Sequence, residues 1–400
     1  MNNQWLSLFI FILSCTSEVA LAKNQLNLQL VADTQKETAS RLFTQTNEDK
    51  RHNTQQQTLS LKSQQHGLNL HIGLEGQQGN TISNEFNLEI YEGFYDFTIN
   101  ELDFSIGRKL MSSGVGYAYR PLDMVQQEER QTLIVQNIKG VDVLLSDYFT
   151  ANGSLNLVLV KSDDGKTPAL ALKGYKMLND LDLYWLIHNQ QQSKTSFGFG
   201  FSWVYGDALE IHASTRLQGQ YDSVPTFSYN VSSQQSQAVD SVEKNGEVTL
   251  LGVNWSHQNG LSLIVEYWHN SMAVSADNWQ SIIKDKAFID SGGTIDMSNA
   301  EQLSSLSQRI DYAFNQPNLQ QNNIFIRIAY DSDWLDPKLD FFYHPDDGGY
   351  SVTLRAEHEI NAKQQISFAW REYAGDTDSV MGQLAKHQQL SVQWEIFNAF

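Results

Sequence analysis

Apolar and polar residues alternate along most of this chain. Between Leu68 and Leu74 every second residue is aliphatic, and between Phe197 and Trp203 every second residue is aromatic. Because successive side chains of a β-strand point to opposite faces, this period of two predicts strands with one apolar and one polar face. A soluble β-sandwich shows the same alternation, so the period alone does not separate a sandwich from a barrel.

The lengths of the connections between the predicted strands distinguish a barrel from a sandwich. We predict about eighteen strands, or about sixteen without the first two, near residues 26–31, 57–63, 68–74, 84–92, 101–108, 132–147, 153–161, 168–174, 180–188, 195–204, 208–218, 247–257, 261–271, 322–331, 337–344, 349–358, 364–373 and 389–400. Every second connection is short, whereas the others include long loops at 32–56, 109–131, 219–246, 272–321 and 374–388. Short turns at one rim and long loops at the other are typical of transmembrane β-barrels. The sequence therefore predicts an all-β, antiparallel transmembrane β-barrel.

Aromatic residues near the strand ends agree with a barrel in lipid. Such residues form girdles at the two membrane interfaces. The candidates are Tyr91, Trp203, Trp255, Tyr267, Tyr330, Tyr343 and Trp370.

The N-terminus has the features of an export signal. An apolar run from Trp5 to Ser14 precedes Ala20-Leu21-Ala22, which fits a small-residue cleavage site. We predict a signal peptide at 1–22 and a single barrel domain at 23–400. Cleavage there removes Cys15, the only cysteine. The alternative is a lipoprotein signal at Ile12-Leu13-Ser14-Cys15 that ends at a lipidated Cys15.

Composition excludes several classes of protein. The 46 acidic residues outnumber the 27 basic ones and give a net charge of −19, which argues against binding to nucleic acid. No HExxH, GxSxG or Walker A motif is present, so we expect neither an enzyme nor a bound metal or cofactor.

The alternation of inward and outward side chains along each predicted strand assigns charged residues to the lumen. The predicted pore-lining acids are Glu89, Asp103, Asp142, Asp182, Glu210, Glu266, Asp340, Glu357 and Glu395. The predicted pore-lining bases are Lys173, Arg216, Arg327, Arg355 and Arg371. This mixed, mildly acidic lining predicts a weak preference for cations. The alternative is that these charges only solvate the lumen and pair with one another, as Arg327 and Asp340 would across a symmetric turn.

The last predicted strand ends in a distinctive way. Trp394, Ile396 and Phe400 follow an alternating apolar pattern to the end of the chain. This ending resembles the C-terminal insertion signal of bacterial outer-membrane barrels. The resemblance implies recognition by the barrel-assembly machinery.

A second resemblance covers residues 103–123. A Gly-Arg pair, a glycine-rich patch and a Pro with Asp two residues later resemble the alginate-export and related porin-like barrels. The matching residues are Gly107, Arg108, Gly114, Gly116, Pro121 and Asp123.

The resemblance implies a channel in the outer membrane of a Gram-negative cell that passes a small solute or a polysaccharide. The acidic lining suits neutral or cationic cargo better than a polyanion. A non-conducting structural or adhesin barrel is the first alternative, and a barrel hydrolase is the second.

One long loop contains a helical pattern. Leu303, Leu306, Ile310 and Phe314 recur at helical spacing within the loop 272–321. We predict a short helix there, which either enters the pore or rests on the rim as a cap.

The order of long and short connections predicts which rim faces outward. An epitope inserted near Ser236 or Ser291, in two long loops, should bind antibody on intact cells, because long loops of such barrels are extracellular. An epitope near Asn259, in a short turn, should bind only after the cells are permeabilised. The reverse labelling would contradict the predicted orientation.

Overall fold

A computed structural model describes residues 23–37, 42, 50–80, 84–126, 132–134, 137–161, 168–224, 226–230, 235–239, 242–290 and 299–399. The predicted signal peptide, Cys15 and Phe400 lie outside these residues. The strands are β1 (Lys23–Glu37), β2 (Lys50–Gln65), β3 (Leu68–Gly79), β4 (Glu85–Ile99), β5 (Leu102–Lys109), β6 (Val141–Thr150), β7 (Gly153–Lys161), β8 (Pro168–Leu178), β9 (Leu181–Gln190), β10 (Lys194–Tyr205), β11 (Leu209–Asp222), β12 (Thr226–Asn230), β13 (Gln235–Val239), β14 (Val242–Ser256), β15 (Leu261–Asn270), β16 (Asn322–Tyr330), β17 (Asp336–Tyr343), β18 (Tyr350–Asn361), β19 (Gln364–Ala374) and β20 (Lys386–Ala399). The helices are α1 (Ala276–Asp290), α2 (Asn299–Phe314) and a 3₁₀ turn at Met381–Gln383.

Eighteen of these strands form one closed antiparallel barrel. Each strand pairs with its neighbour in sequence, except that β11 pairs with β14 and the hairpin β12–β13 lies in the connection between them. Pairing of β1 with both β2 and β20 closes the barrel, so no strand edge is left unpaired. The prediction of an eighteen-stranded barrel is confirmed, and β1 and β2 belong to it.

The connections separate into two rims. The turns at the short-turn rim, such as His66–Gly67 between β2 and β3, are only a few residues long. These two residues have φ angles of 49° and 85°, the left-handed geometry that a two-residue hairpin turn requires. The long-loop rim carries the connections that include both helices and the hairpin β12–β13.

The outer face of the barrel is apolar. Leu88 is 68% exposed and Phe197 is 53% exposed, although both are large hydrophobic residues. Other residues of this exposed apolar face are Ile90, Ile106, Leu144, Leu157, Leu159, Leu170, Phe199, Leu217, Leu251, Leu354, Phe368, Val392 and Trp394. A closed barrel pairs its backbone groups internally, so this face can contact lipid.

No helix in the part of the chain that the structure describes is both long and apolar enough to cross a membrane.

The predicted helix at the long-loop rim is confirmed as α2, and α1 precedes it. Apolar side chains of the two helices, including Trp279, Ile282, Leu306 and Ile310, form one buried cluster. Val380, from the connection between β19 and β20, belongs to the same cluster. Because the cluster joins residues of separate long connections, α2 is part of a cap on the rim.

Two local predictions were wrong. The strand predicted at 132–147 begins only at Val141. Tyr91, predicted for an interface girdle, is 0% exposed and its hydroxyl donates to Glu75 inside the barrel. Tyr91 lies two residues after the inward-facing Glu89, so the alternation of β4 places both on the inner face, and the register shift between β3 and β4 comes only after Tyr91.

Neighbouring residues of β1 offer a test of the two faces. Leu30 lies opposite Trp394 on the apolar face, and Val31 lines a lumen cavity. An arginine on the lipid face near mid-membrane costs about 2–4 kcal/mol. Leu30→Arg should therefore reduce the heat-modifiable barrel in the membrane fraction, whereas Val31→Arg should not. Equal assembly of both variants would contradict the assigned faces.

Candidate functional site

The connection between β5 and β6 folds into the barrel. We call its residues 110–126 the lumen loop. The carboxylate of Asp123 accepts a hydrogen bond from the backbone N–H of Ser113 at 2.6 Å. The side chain of Gln126 accepts from the N–H of Met111 at 2.9 Å and donates to the carbonyl of Lys139 at 2.6 Å. These bonds give the loop a defined shape.

A buried carboxylate of the barrel wall holds the middle of the lumen loop. Glu266 Oε1 accepts from the N–H of Tyr117 at 2.5 Å, and Oε2 accepts from the N–H of Ala118 at 2.8 Å. His212 Nε2 lies 2.9 Å from Glu266 Oε1, and both side chains are 0% exposed. Hydrogen bonds to a charged acceptor are among the stronger ones in proteins, so this clamp fixes the loop against β11 and β15.

A second wall carboxylate binds the side chain of Tyr117. The Tyr117 hydroxyl donates to Glu210 Oε2 at 3.0 Å and accepts from Asn254 Nδ2 at 3.0 Å. Ser202 donates to the other oxygen of Glu210 at 2.8 Å. Burial and the nearby Glu210 charge raise the pKa of Tyr117 to about 12, so the hydroxyl keeps its proton and remains a donor.

The lumen loop also packs by shape. Leu122 is buried against Gly198 and Gly200, which face inward on β10, and a methyl group at Gly198 would overlap its side chain. Tyr119 stacks on Trp268 of β15, with 5.6 Å between ring centroids and 13° between planes. The alternating glycines between the phenylalanines of β10 therefore make room for the loop.

Cavities remain beside the lumen loop among the described residues. One has a volume of about 630 Å³ beside β1–β4 and β20, and we call it the amide cavity. Its lining is Gln29, Val31, Asp33, Gln35, Glu37, His52, Thr54, Gln56, Thr58, Glu75, Gly76, Gln77, Glu85, Asn87, Leu133, Ile134, Asn137, Gln389 and Ser391. A cavity of about 280 Å³, the arginine cavity, lies between the lumen loop and β16–β19. A third of about 340 Å³ lies between the loop and β7–β9.

Three arginines and one carboxylate line the arginine cavity. Arg327 makes a bidentate ion pair with Asp340 at 2.6 and 2.9 Å. Arg355 also binds Asp340 and donates to the carbonyl of Thr132 at 2.8 Å. Arg371 donates to the hydroxyl of Thr353 at 2.8 Å. Positive charge therefore exceeds negative charge on this side of the lumen.

The structure places all but one of the predicted lining residues on the inward strand faces. Arg327 and Asp340 face each other as predicted. Glu89 pairs with Lys139 at 2.7 Å, Glu357 with Lys338 at 2.9 Å, and Lys173 donates to the carbonyl of Ser112 at 3.3 Å. The other inward residues are Asp103, Asp182, Glu210, Glu266, Glu395, Arg216, Arg355 and Arg371. Whether they line a conducting path stays a prediction.

Asp142 is the exception, and its assignment was wrong. It lies opposite Arg108 on the outer face, with 3.1 Å between Arg108 Nε and Asp142 Oδ1. Its neighbours Val141 and Val143 face inward and pack with Met111 and other apolar residues. The inner face of β6 is apolar because the lumen loop covers it, so the polar residue points outward.

The residues of the family-like motif divide between β5 and the lumen loop. Gly107, Gly114 and Gly116 have φ angles of 128°, 75° and 126°, which other residues rarely adopt. Pro121 and Asp123 are buried in the loop, whereas Arg108 faces outward.

The carboxylates that line the amide cavity are not among the residues predicted from the sequence. Asp33, Glu37 and Glu75 lie on inward faces there, and Glu85 lines the same cavity. The alternation of β1 and β2 is weak toward the long-loop rim, where polar residues occupy both faces. Leu28 and Leu30 lie on the outer face of β1, so the alternation places the odd-numbered Asp33 and Glu37 on the inward face.

Comparisons with solved structures find barrels of the same architecture. Acinetobacter baumannii OccAB1 has a TM-score of 0.57 at 9% identity, over 96% of this chain and 99% of that chain. Pseudomonas aeruginosa OccK2 (OpdF) has 0.56 at 8% identity, over 95% and 98%. The outer membrane protein OprD from Pseudomonas aeruginosa has 0.51 at 9% identity, over 95% and 94%.

The chain has the fold of a porin-like barrel. No protein-family description and no curated protein matches its sequence.

Glu266→Gln should loosen the lumen loop of this porin-like barrel. Gln offers one acceptor oxygen where the carboxylate offers two, so one buried N–H of Tyr117 or Ala118 loses its partner, at a cost of about 1–3 kcal/mol. We expect these two amides to undergo hydrogen–deuterium exchange roughly ten- to a hundredfold faster.

Glu357→Gln is the matched control, because that carboxylate faces the lumen and accepts from Lys338. It should leave exchange of the loop amides unchanged. Equal protection of these amides in the wild-type and Glu266→Gln proteins would contradict the clamp.

Proposed function

We propose that this protein is an outer-membrane channel that passes small solutes, with the lumen loop as its constriction. The observation that carries the proposal is a closed barrel with an apolar outer face and a loop clamped inside it, beside which polar cavities remain. Loops that fold into the lumen narrow the pores of porins. The likeness to the outer membrane protein OprD supports an outer-membrane location.

The space beside the lumen loop favours a small solute over a polymer. The loop packs against the inward faces of β6–β9 on one side and of β14–β16 on the other. The remaining cavities have volumes of about 280–630 Å³, which is the size range of small-molecule sites. Export of a polysaccharide such as alginate is the weaker reading, because a polymer would have to displace the clamped loop.

Charge is distributed unevenly around the proposed channel. The amide cavity carries the carboxylates of Asp33, Glu37, Glu75 and Glu85, and the arginine cavity lies on the opposite side of residues 132–134. We propose that the acidic side prevails and gives a weak cation preference. Salt should reduce this preference, because the screening length falls from about 10 Å at 0.1 M to about 3 Å at 1 M.

Assembly of this barrel would follow the usual route of outer-membrane proteins. We propose that β20, with Trp394 and Ile396 on its outer face, is the strand that the barrel-assembly machinery recognises. Its pairing with β1 closes the barrel, so a defect in this strand would leave both ends of the sheet open.

Planar-bilayer recording of the purified barrel tests the channel. We expect stepwise conductance and, under a KCl gradient, a reversal potential with the sign of a cation preference. Arg371→Gln should increase that preference, because Arg371 lines the arginine cavity.

Arg108→Gln is the matched control, because Arg108 pairs with Asp142 on the outer face and should not affect ions in the lumen. Absence of conductance from folded protein would contradict the channel. An anion preference, or an equal shift from both variants, would contradict the assigned charge distribution.

A further inference from the structure

The amide cavity has the features of a binding site. Strands β1, β2, β3, β4 and β20 contribute inward-facing side chains to it, so rigid elements position its wall. Glutamine and asparagine amides are the commonest lining groups, and Thr54, Thr58 and Ser391 add hydroxyls. Its volume of about 630 Å³ is sufficient for a small organic molecule.

Negative charge is concentrated in this cavity. The lining contains four carboxylates, those of Asp33, Glu37, Glu75 and Glu85, and its described residues include no lysine or arginine. Glu37 pairs with His52 at 2.8 Å, and Glu75 accepts from the hydroxyl of Tyr91. One histidine and one neutral hydroxyl are among the partners of these carboxylates, and the carboxylates outnumber the basic side chains of the described lining.

A buried hydroxyl in the wall of the cavity provides independent evidence for a ligand. Ser391 is 1% exposed, and its Oγ has no hydrogen-bond partner among the residues that the structure describes. It lies opposite Asp33 in the pairing of β1 with β20. Buried polar groups are almost always satisfied, so an unsatisfied hydroxyl beside a carboxylate marks a place for a ligand atom or water.

We propose that the amide cavity is a binding site for a small organic cation that carries ammonium groups. Its N–H groups would donate to the carboxylates of Asp33 and Glu75, to nearby amide oxygens and to Ser391 Oγ. An anion would be repelled by four carboxylates that no lysine or arginine of the described lining offsets, and a neutral polyol would form no ion pair with them. The inference deepens the proposed channel, on which it rests for access of the solute to the lumen.

Calorimetry with three four-carbon probes tests the site in the full barrel, in detergent at low salt. Putrescine carries an ammonium group at each end, 1,4-butanediol is its neutral analogue, and succinate is its dianionic analogue. We expect putrescine to bind about tenfold or more tightly than the other two, since charge-assisted hydrogen bonds contribute most of the difference. Equal binding of butanediol or succinate would overturn the proposal.

The double variant Asp33→Asn and Glu75→Gln removes two charges and keeps the size of both side chains. It should weaken putrescine binding about tenfold or more. Asp182→Asn is the matched control, because Asp182 faces the lumen near the short-turn rim and accepts from Tyr175 at 2.6 Å. Heat-modifiable migration confirms that each variant is folded.

Unchanged putrescine affinity in the folded double variant, or the same loss in Asp182→Asn, would overturn the site. Bilayer recording separates this result from the proposed function. A barrel that conducts without selective putrescine binding contradicts only the site. A barrel that binds putrescine selectively and does not conduct contradicts only the channel.

Discussion

The arrangement of the lumen depends on the buried carboxylate of Glu266. A charge removed from water is tolerated only when it is paired and hydrogen-bonded. The barrel wall supplies His212 as one partner, and the lumen loop supplies the backbone N–H groups of Tyr117 and Ala118. The loop and the wall are therefore bound to each other, and the packing of Leu122 on β10 and Tyr119 on β15 follows from the position that this clamp sets.

The clamped loop divides the barrel into two chemically different parts. Where the loop covers the wall, at β6–β9, the inward residues are apolar, and they include Val143, Val158 and Ala171. Where it leaves the wall uncovered, at β1–β4, the inward residues are amides and carboxylates such as Gln29, Asp33 and Glu75. Strands with the same alternation of side chains thus have a packed apolar inner face where the lumen loop covers them and a polar cavity where it does not.

This division explains which features the sequence could predict. Alternation identified all the barrel strands, because nearly every strand has an apolar lipid face whatever its inner face contains. The alternation assigned Asp142 to the wrong face, because both faces of β6 are rich in apolar residues and the pattern does not show which of them points inward. The girdle assignment of Tyr91 rested on its place near a strand end, whereas alternation puts it on the same inward face as Glu89, two residues earlier on β4. The fold of the lumen loop depends on contacts with Glu266 and Gly198, far away in sequence, and no local pattern could reveal them.

A count of inward charges overstates the electrostatic potential that a solute would meet. Glu266 already accepts hydrogen bonds from loop amides and contacts His212, Glu210 is held by Tyr117 and Ser202, and Asp340 is bound by two arginines. The charges that remain to act on a solute are those lining cavities, chiefly the carboxylates beside β1–β3 and the arginines of β18 and β19. Ion selectivity therefore depends on the balance of charge between two opposite walls and not on the total charge of the barrel lining. Substitutions at Glu210 or Glu266 would alter the position of the lumen loop more than the electrostatic potential in the lumen.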